Sequence, residues 1–322
     1  MKALYLLSLF SILLVNTSFA QNEIISEASN LIEAKQYAEA VTLLENSTSQ
    51  YPDNEKLLEL LGRSYSNTDD FGKAMDTFSD LTKMDKTNAE YFFLLGESSY
   101  EALSNTSNIF KLSTYSSRMK SSLSKALELD PSHVGARIRL SNYYLNAPMI
   151  AGGSTKKALE HAKILVQYDP NAGNQLLASI HIKNEEHVQA EAIYLKMIED
   201  NIDERKLYYL LAVLKTDQEQ FESAMDYCEQ SIATHPDYLT AYYQYGKAAT
   251  RSGNNLEKAL FYLNYFVENH SEGTAPSLHW AHLRIGQIHQ LNGDKEEARK
   301  EFNTALALKP DFNDAKSELK RL

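Results

Sequence analysis

A pair of helix-forming segments recurs along this chain at intervals of roughly 34 residues. One copy reads Leu58-x₂-Leu61-Gly62-x₂-Tyr65 and continues into Ala74-x₃-Phe78. Near the far end it is written again as Ile285-Gly286-x₂-His289, then Ala298-x₃-Phe302 and Pro310. A segment of this length cannot bury its apolar face alone, so successive segments must stack against their neighbours. That requirement excludes a fold built around one central core.

The second helix of each repeat aligns on a small residue that lets two helices approach closely. The series is Ala40, Ala74, Met119, Ala158, Ala190, Ala224, Ala259 and Ala298, at spacings of 34, 45, 39, 32, 34, 35 and 39 residues. Four places further on stand Leu44, Phe78, Leu123, Ala162, Tyr194, Cys228, Leu263 and Phe302, on the same helix face. First helices carry a matching small residue in Leu61-Gly62, Leu95-Gly96, Leu140-Ser141, Leu177-Ala178, Leu211-Ala212, Tyr245-Gly246 and Ile285-Gly286. Helices are expected to stop at Pro52, Pro131, Pro170, Pro236 and Pro310, each beside an Asp, because proline cannot continue the backbone ladder. Residues 313–322, with Ala315, Leu319 and Leu322 on one side, read as a helix that covers the last apolar face.

These residues resemble the tetratricopeptide repeat (TPR) family. The resemblance implies an all-α fold, a right-handed α-solenoid of about eight helical hairpins over residues 21–312, the first degenerate, closed by the capping helix at 313–322. It also implies a binding task rather than a reaction, with one stripe of each first helix lining a concave surface.

Two intervals are too long, which places insertions near residues 103–117 and 147–154. The second contains Pro148, which ends a helix, Gly152 and Gly153, which permit a reversal, and Ser154, which can cap the next helix. It resembles an Ala-Pro-x-Ile-x-Gly-Gly-Ser loop found in a subset of secreted bacterial TPR proteins. Turns inside successive hairpins lie along one edge of a stack, so the two insertions are expected to be neighbours and to form a lip over the groove. The Gly-Gly pair has no Gly-Lys-Ser/Thr ending and follows a helix, unlike a phosphate-binding loop.

On first helices, a stripe spaced three, four and three residues apart points away from the Leu-Gly positions. In the last three repeats it holds Lys206, Tyr209, Val213 and Thr216; Thr240, Tyr243, Lys247 and Thr250; and Trp280, Leu283, Gln287 and Gln290, with Arg251 and Arg284 adjacent. In the fourth repeat it includes Asn142, with Arg139 beside it. Rigid rings with amide and cationic groups suit a peptide or protein groove. The expected partner-binding set is therefore Arg139, Asn142, Tyr209, Tyr243, Lys247, Arg251, Trp280, Arg284 and Gln287.

Catalytic and metal chemistry find no footing in the pattern. His279, His282 and His289 share a segment but form no His-Glu-x₂-His. There is no Gly-x-Ser-x-Gly elbow, and Cys228 falls on a packing face. No cofactor or metal is expected. A formal charge of −11 repels nucleic acid, which needs a basic face. The start, Met1-Lys2 followed by an apolar run to Val15 and then Ser18-Phe19-Ala20, has the parts of a signal peptide cut after Ala20. The run ends at Asn16-Thr17, short of the ~20 apolar residues a membrane span needs, and no later segment is a credible span. The expectation is a periplasmic or secreted, non-catalytic scaffold for a protein or peptide partner in envelope complex assembly. The alternative is an accessory ligand-binding or docking component of a solute uptake system.

Overall fold

The protein was analysed as a computed structural model that describes residues 19–200, 204–271 and 273–322. Apart from Phe19 and Ala20, the export segment expected at residues 1–20 lies outside the described residues. The described residues form α-helices and one 3₁₀ turn, with no strand among them. The chain divides into two compact units, residues 1–176 and 177–322.

The first unit pairs α1 (19–33) with α2 (Tyr37–Gln50), α3 (Glu55–Asn67) with α4 (Phe71–Met84), α5 (Ala89–Ser104) with α6 (Ile109–Leu129), and α7 (Val134–Asn146) with α8 (Thr155–Tyr168). The division falls inside α9 (Pro170–Lys183). The second unit holds α10 (His187–Glu199), then α11 (Glu204–Asp217) with α12 (Phe221–Thr234), α13 (Leu239–Ser252) with α14 (Leu256–Asn269), and α15 (Leu278–Leu291) with α16 (Lys295–Leu308). The short α17 (Asn313–Leu319) follows. Seven of the about eight hairpins that the repeat pattern implies, and the cap, thus lie whole within one unit or the other.

Four of the hairpins are locked by the same contact. A Cβ placed on Gly62 would stand 2.6 Å from the Phe78 ring, and one on Gly286 would stand 2.6 Å from the Phe302 ring. Gly96 and Gly246 meet Leu123 and Leu263 in the same way. The larger partner is in every case the residue four places after the aligned small residue, which confirms Met119 as its member of that series. In the fourth repeat Ser141 takes the glycine's place and its hydroxyl donates to the Ala158 carbonyl at 2.9 Å. The first, degenerate repeat uses Ala28, fully buried, a match its weak motif conceals.

Turns repeat as faithfully as cores. Lys35, Asp69, Glu185, Glu219 and Gly293 all adopt positive φ. The following N–H reaches back five residues, as in Gln36 to the Leu31 carbonyl and Asp70 to the Tyr65 carbonyl, which satisfies carbonyls left over at the helix end. Pro170 ends α8 and opens α9, where the missing N–H costs nothing. Asp169 beside it accepts from the Ala172 N–H at 2.9 Å.

The third repeat departs from the expected inserted segment. Of residues 103–117, only 105–108 are non-helical, and α6 runs for 21 residues against 14 in α4 and α8. The additional residues lengthen the helices, α5 to 16 residues and α6 to 21. In the fourth repeat Pro148 precedes a 3₁₀ turn at Met149–Ala151, Gly152 is left-handed at φ +94°, and Ser154 caps α8. Gly153 admits no side chain, since a Cβ would overlap the Ala147 carbonyl.

The hairpin lock is directly testable. Gly286→Val forces the Phe302 ring from its place and should lower unfolding free energy by about 1–3 kcal/mol. Chemical denaturation followed by circular dichroism reads this; an unchanged midpoint contradicts the lock.

Candidate functional site

In the second unit the first helices α11, α13 and α15 present a groove of about 360 Å³. Its lining comprises Tyr209 and Val213 from α11, Thr240, Tyr243, Gln244 and Lys247 from α13, Ala275 and Pro276 ahead of α15, and Trp280 and Arg284 on α15. Five of the nine residues expected to bind a partner meet here: Tyr209, Tyr243, Lys247, Trp280 and Arg284. Their three-and-four spacing brings them to one face of each helix.

The rings are held by neighbours rather than by one another. Tyr209 sets its edge against Tyr238 at 5.8 Å, Tyr243 tilts onto Phe266 at 5.8 Å, and Trp280 meets Phe312 at 4.7 Å. Burial pushes the Tyr209 phenol above its ordinary value, so it enters the groove as a neutral donor. Trp280 is fixed by the residue that starts the cap, which makes α17 a support of the site.

Lys247 is an uncompensated charge of the groove. It forms no ion pair among the described residues, and burial holds its ammonium below the ordinary lysine value, with Asp217 opposing and Arg284 and Arg251 reinforcing that shift. Arg284 donates through Nη1 to Gln287 Oε1 at 2.8 Å, while its buried Nε has no partner among the described residues. Two cationic groups thus stand beside three rings, with donors left over for an acceptor from outside.

Of the other four expected residues, Arg139, Arg251 and Gln287 are engaged by partners within the fold. Arg139 in the first unit is bound by Glu97, lies 3.9 Å from Glu101 and covers the Tyr100 ring at 4.0 Å. Asn142 is half-buried on the same helix. Arg251 donates to the Thr216 carbonyl at 3.0 Å and reaches Glu219, tying α13 to the preceding hairpin turn. Gln287 donates to Glu318 at 2.9 Å and so secures α17. Stripe members Thr216 and Leu283 are buried outright.

Ala275, Pro276 and Gln244, which the pattern did not supply, complete the site. Thr240 donates to the Ala275 carbonyl at 3.1 Å, and His270 Nε2 lies 2.9 Å from the Thr274 carbonyl oxygen. These bonds carry Ala275 and Pro276 over the groove from a non-repeating connection. Gln244 bonds buried Thr216 at 2.9 Å and forms the floor. The lengthened interval between Ala259 and Ala298 was the only available signal.

Elsewhere the chemistry is quiet. His282 bonds Glu301 at 2.7 Å, His289 lies 3.7 Å from Asp294, and His279 packs on Phe312. No group of three His, Cys, Asp or Glu converges on a metal-binding point among the described residues. Cys228 is fully buried, which raises its thiol well above the ordinary value. No described helix is long and apolar enough to cross a membrane.

Profiles of the tetratricopeptide repeat match residues 31–96, 206–238 and 279–312, so the chain contains such repeats in both units. No curated protein matches the sequence significantly. Among solved structures, PilF of Pseudomonas aeruginosa is similar with a TM-score of 0.51 at 14% identity, over 74% of this chain and 99% of that one. YrrB, described as a TPR protein with an unusual peptide-binding site, reaches 0.44 at 18% identity over 62% and 98%. A thermophilic TPR protein of Thermus thermophilus reaches 0.44 at 17% identity over 55% and 90%. The PilF likeness shows the fold: an all-helical protein of TPR hairpins.

The depressed lysine gives a signed prediction. A folded value below 10.5 means the unfolded chain holds that proton more tightly, so stability rises with pH across the window between the two values. Lys247→Met should leave unfolding free energy at pH 7 unchanged or higher. Wild type should gain on the variant as pH approaches about 10. Denaturation series at both pH values decide it, and a clear loss at pH 7 assigns Lys247 to packing.

Proposed function

We propose that this chain is an exported, non-catalytic TPR scaffold that holds an extended segment of a protein partner in the groove of α11, α13 and α15, within an envelope assembly. The observation that carries the reading is the unpaired, half-buried Lys247 ammonium among Tyr209, Tyr243, Trp280 and Arg284. A charge kept partly from water without a counter-ion costs stability, and a partner acceptor would offset that cost. The rings offer area with little rotamer freedom to lose, the usual make-up of an interface hot spot. Among the described residues neither the buried thiol nor His279, His282 or His289 stands in a nucleophile-and-base pair, which favours binding over turnover.

Export rests on the first 20 residues, whose charged start, apolar run and Ala20 fit a cleaved signal. Edman sequencing of the chain recovered from an envelope fraction should begin at Gln21. A start at Met1, or recovery only from cytosol, overturns that part.

Binding is tested by affinity capture from envelope extract on immobilised wild type and on Lys247→Glu and Trp280→Ala variants. The expected result is a protein captured by wild type and reduced at least tenfold by either variant, at unchanged helicity. Equal capture by all three removes the groove from the proposal. A metabolite or transporter subunit recovered in its place redirects the reading to solute uptake.

A further inference from the structure

Charge in the first unit is segregated. The chain holds 43 acidic and 32 basic residues, yet stretches 102–127 and 131–159 contain no Asp or Glu and eight Lys or Arg. Four of the eight are engaged: Lys125 with Glu128, Arg139 with Glu97, Arg137 with the Pro131 carbonyl and Arg118 with the Met75 sulfur. Lys111, Lys120, Lys156 and Lys157 join no ion pair among the described residues. Lys120 and Lys157 rest over the rings of Tyr143 and Tyr144.

The same region carries the most exposed large apolar side chains among the described residues: Ile109 at 78%, Phe110 at 87%, Met149 at 88% and Ile150 at 99%. Packing joins the two pairs. The Tyr143 hydroxyl lies 2.6 Å from Ser116 Oγ on α6 and donates to the Ala151 carbonyl of the loop. Lys120 Nζ stands 3.2 Å from where a Cβ on Gly152 would lie. Ile109, Ser113, Ser116 and Lys120 recur at helical spacing, so one face of α6 meets the loop and leads outward to Ile109. Ile109 is about 10 Å along the axis from Ser116. On the opposite face Lys111 and Tyr115 share a cleft with Asp69 and Asp70.

The geometry points to a second binding surface: the start of α6 and the 148–153 loop dock on an anionic lipid bilayer, independently of the groove. Ile109, Phe110, Met149 and Ile150 enter the headgroup boundary, and Lys120, Lys156 and Lys157 lie against its phosphates. The apolar groups stand out at the tips of two turns instead of lining a concavity, which suits a fluid interface better than a folded partner. Lysines beside them and uncharged Ser, Thr and Asn around them match the make-up of interfacial anchors. A protein occupant would require separate apolar pockets for four protruding side chains, with acidic groups placed beside them for the lysines.

The test uses the full-length chain with single reporter cysteines, Phe110→Cys or Ile150→Cys, carrying an environment-sensitive fluorophore; buried Cys228 stays unlabelled in the native state. Vesicles are phosphatidylcholine alone or with one-third phosphatidylglycerol. Both labels should shift to the blue on anionic vesicles only, the shift should fade with salt, and Lys156→Gln or Lys157→Gln should each weaken partition about fivefold. A label at Val188→Cys, an exposed apolar site in the other unit, should stay aqueous. The proposal is overturned if labels 110 and 150 remain aqueous while the chain sediments with vesicles, since its N-terminal apolar run would then be the anchor. Absence of binding, equal shifts on neutral vesicles, or shifts produced only by an acidic protein from the envelope overturn it as well.

Discussion

The meeting of a missing side chain with a large one holds this protein together. Where Gly62, Gly96, Gly246 and Gly286 leave a gap, Phe78, Leu123, Leu263 and Phe302 fill it, and the two helices of a hairpin approach to backbone distance. Interiors at crystal-like density tolerate neither a hole nor an overlap at such a point. The register of these four hairpins follows from this one contact, and with it the direction of the other residues on both helices. Serine in the fourth repeat makes the same approach through a hydrogen bond to Ala158, so the geometry persists where the chemistry changes.

Because the lock consumes one face of each first helix, the rest of that helix is divided between its neighbours and the groove. Tyr209, Tyr243 and Trp280 line the groove, whereas Thr216 and Leu283, drawn from the same stripes, are sealed. The difference lies in what packs alongside: Gln244 covers Thr216, and the cap cluster around Phe312 covers Leu283. Cations sort in the same way. Arg139 and Arg251 have carboxylates or carbonyls within reach, while Lys247 has none close enough to neutralise it.

The repeat was legible since it is a pattern of sizes at fixed intervals, and size is written in residue identity. Even Met119, a weak member, falls into place once Leu123 is seen against Gly96. The groove was legible in part: helical spacing placed Tyr209, Tyr243, Lys247 and Trp280 on the stripe and Arg284 beside it, but it could not separate them from Arg251 or Gln287. Those two differ only in having partners, Thr216 and Glu318, that are distant in the chain. The connection through Ala275 and Pro276 was illegible because it repeats nothing, and Ile109 and Phe110 were expected in an inserted segment that the structure shows as helix.

By itself, then, the order of residues determined the helical hairpins, their number, their stops and their shared small-to-large contact, all of which depend on neighbours within about one repeat. Tertiary structure alone decided which charges stay unpaired and which apolar groups stay uncovered. Pairing and burial depend on distances between residues tens of positions apart, and a periodic sequence presents the same local pattern whether or not a partner arrives there.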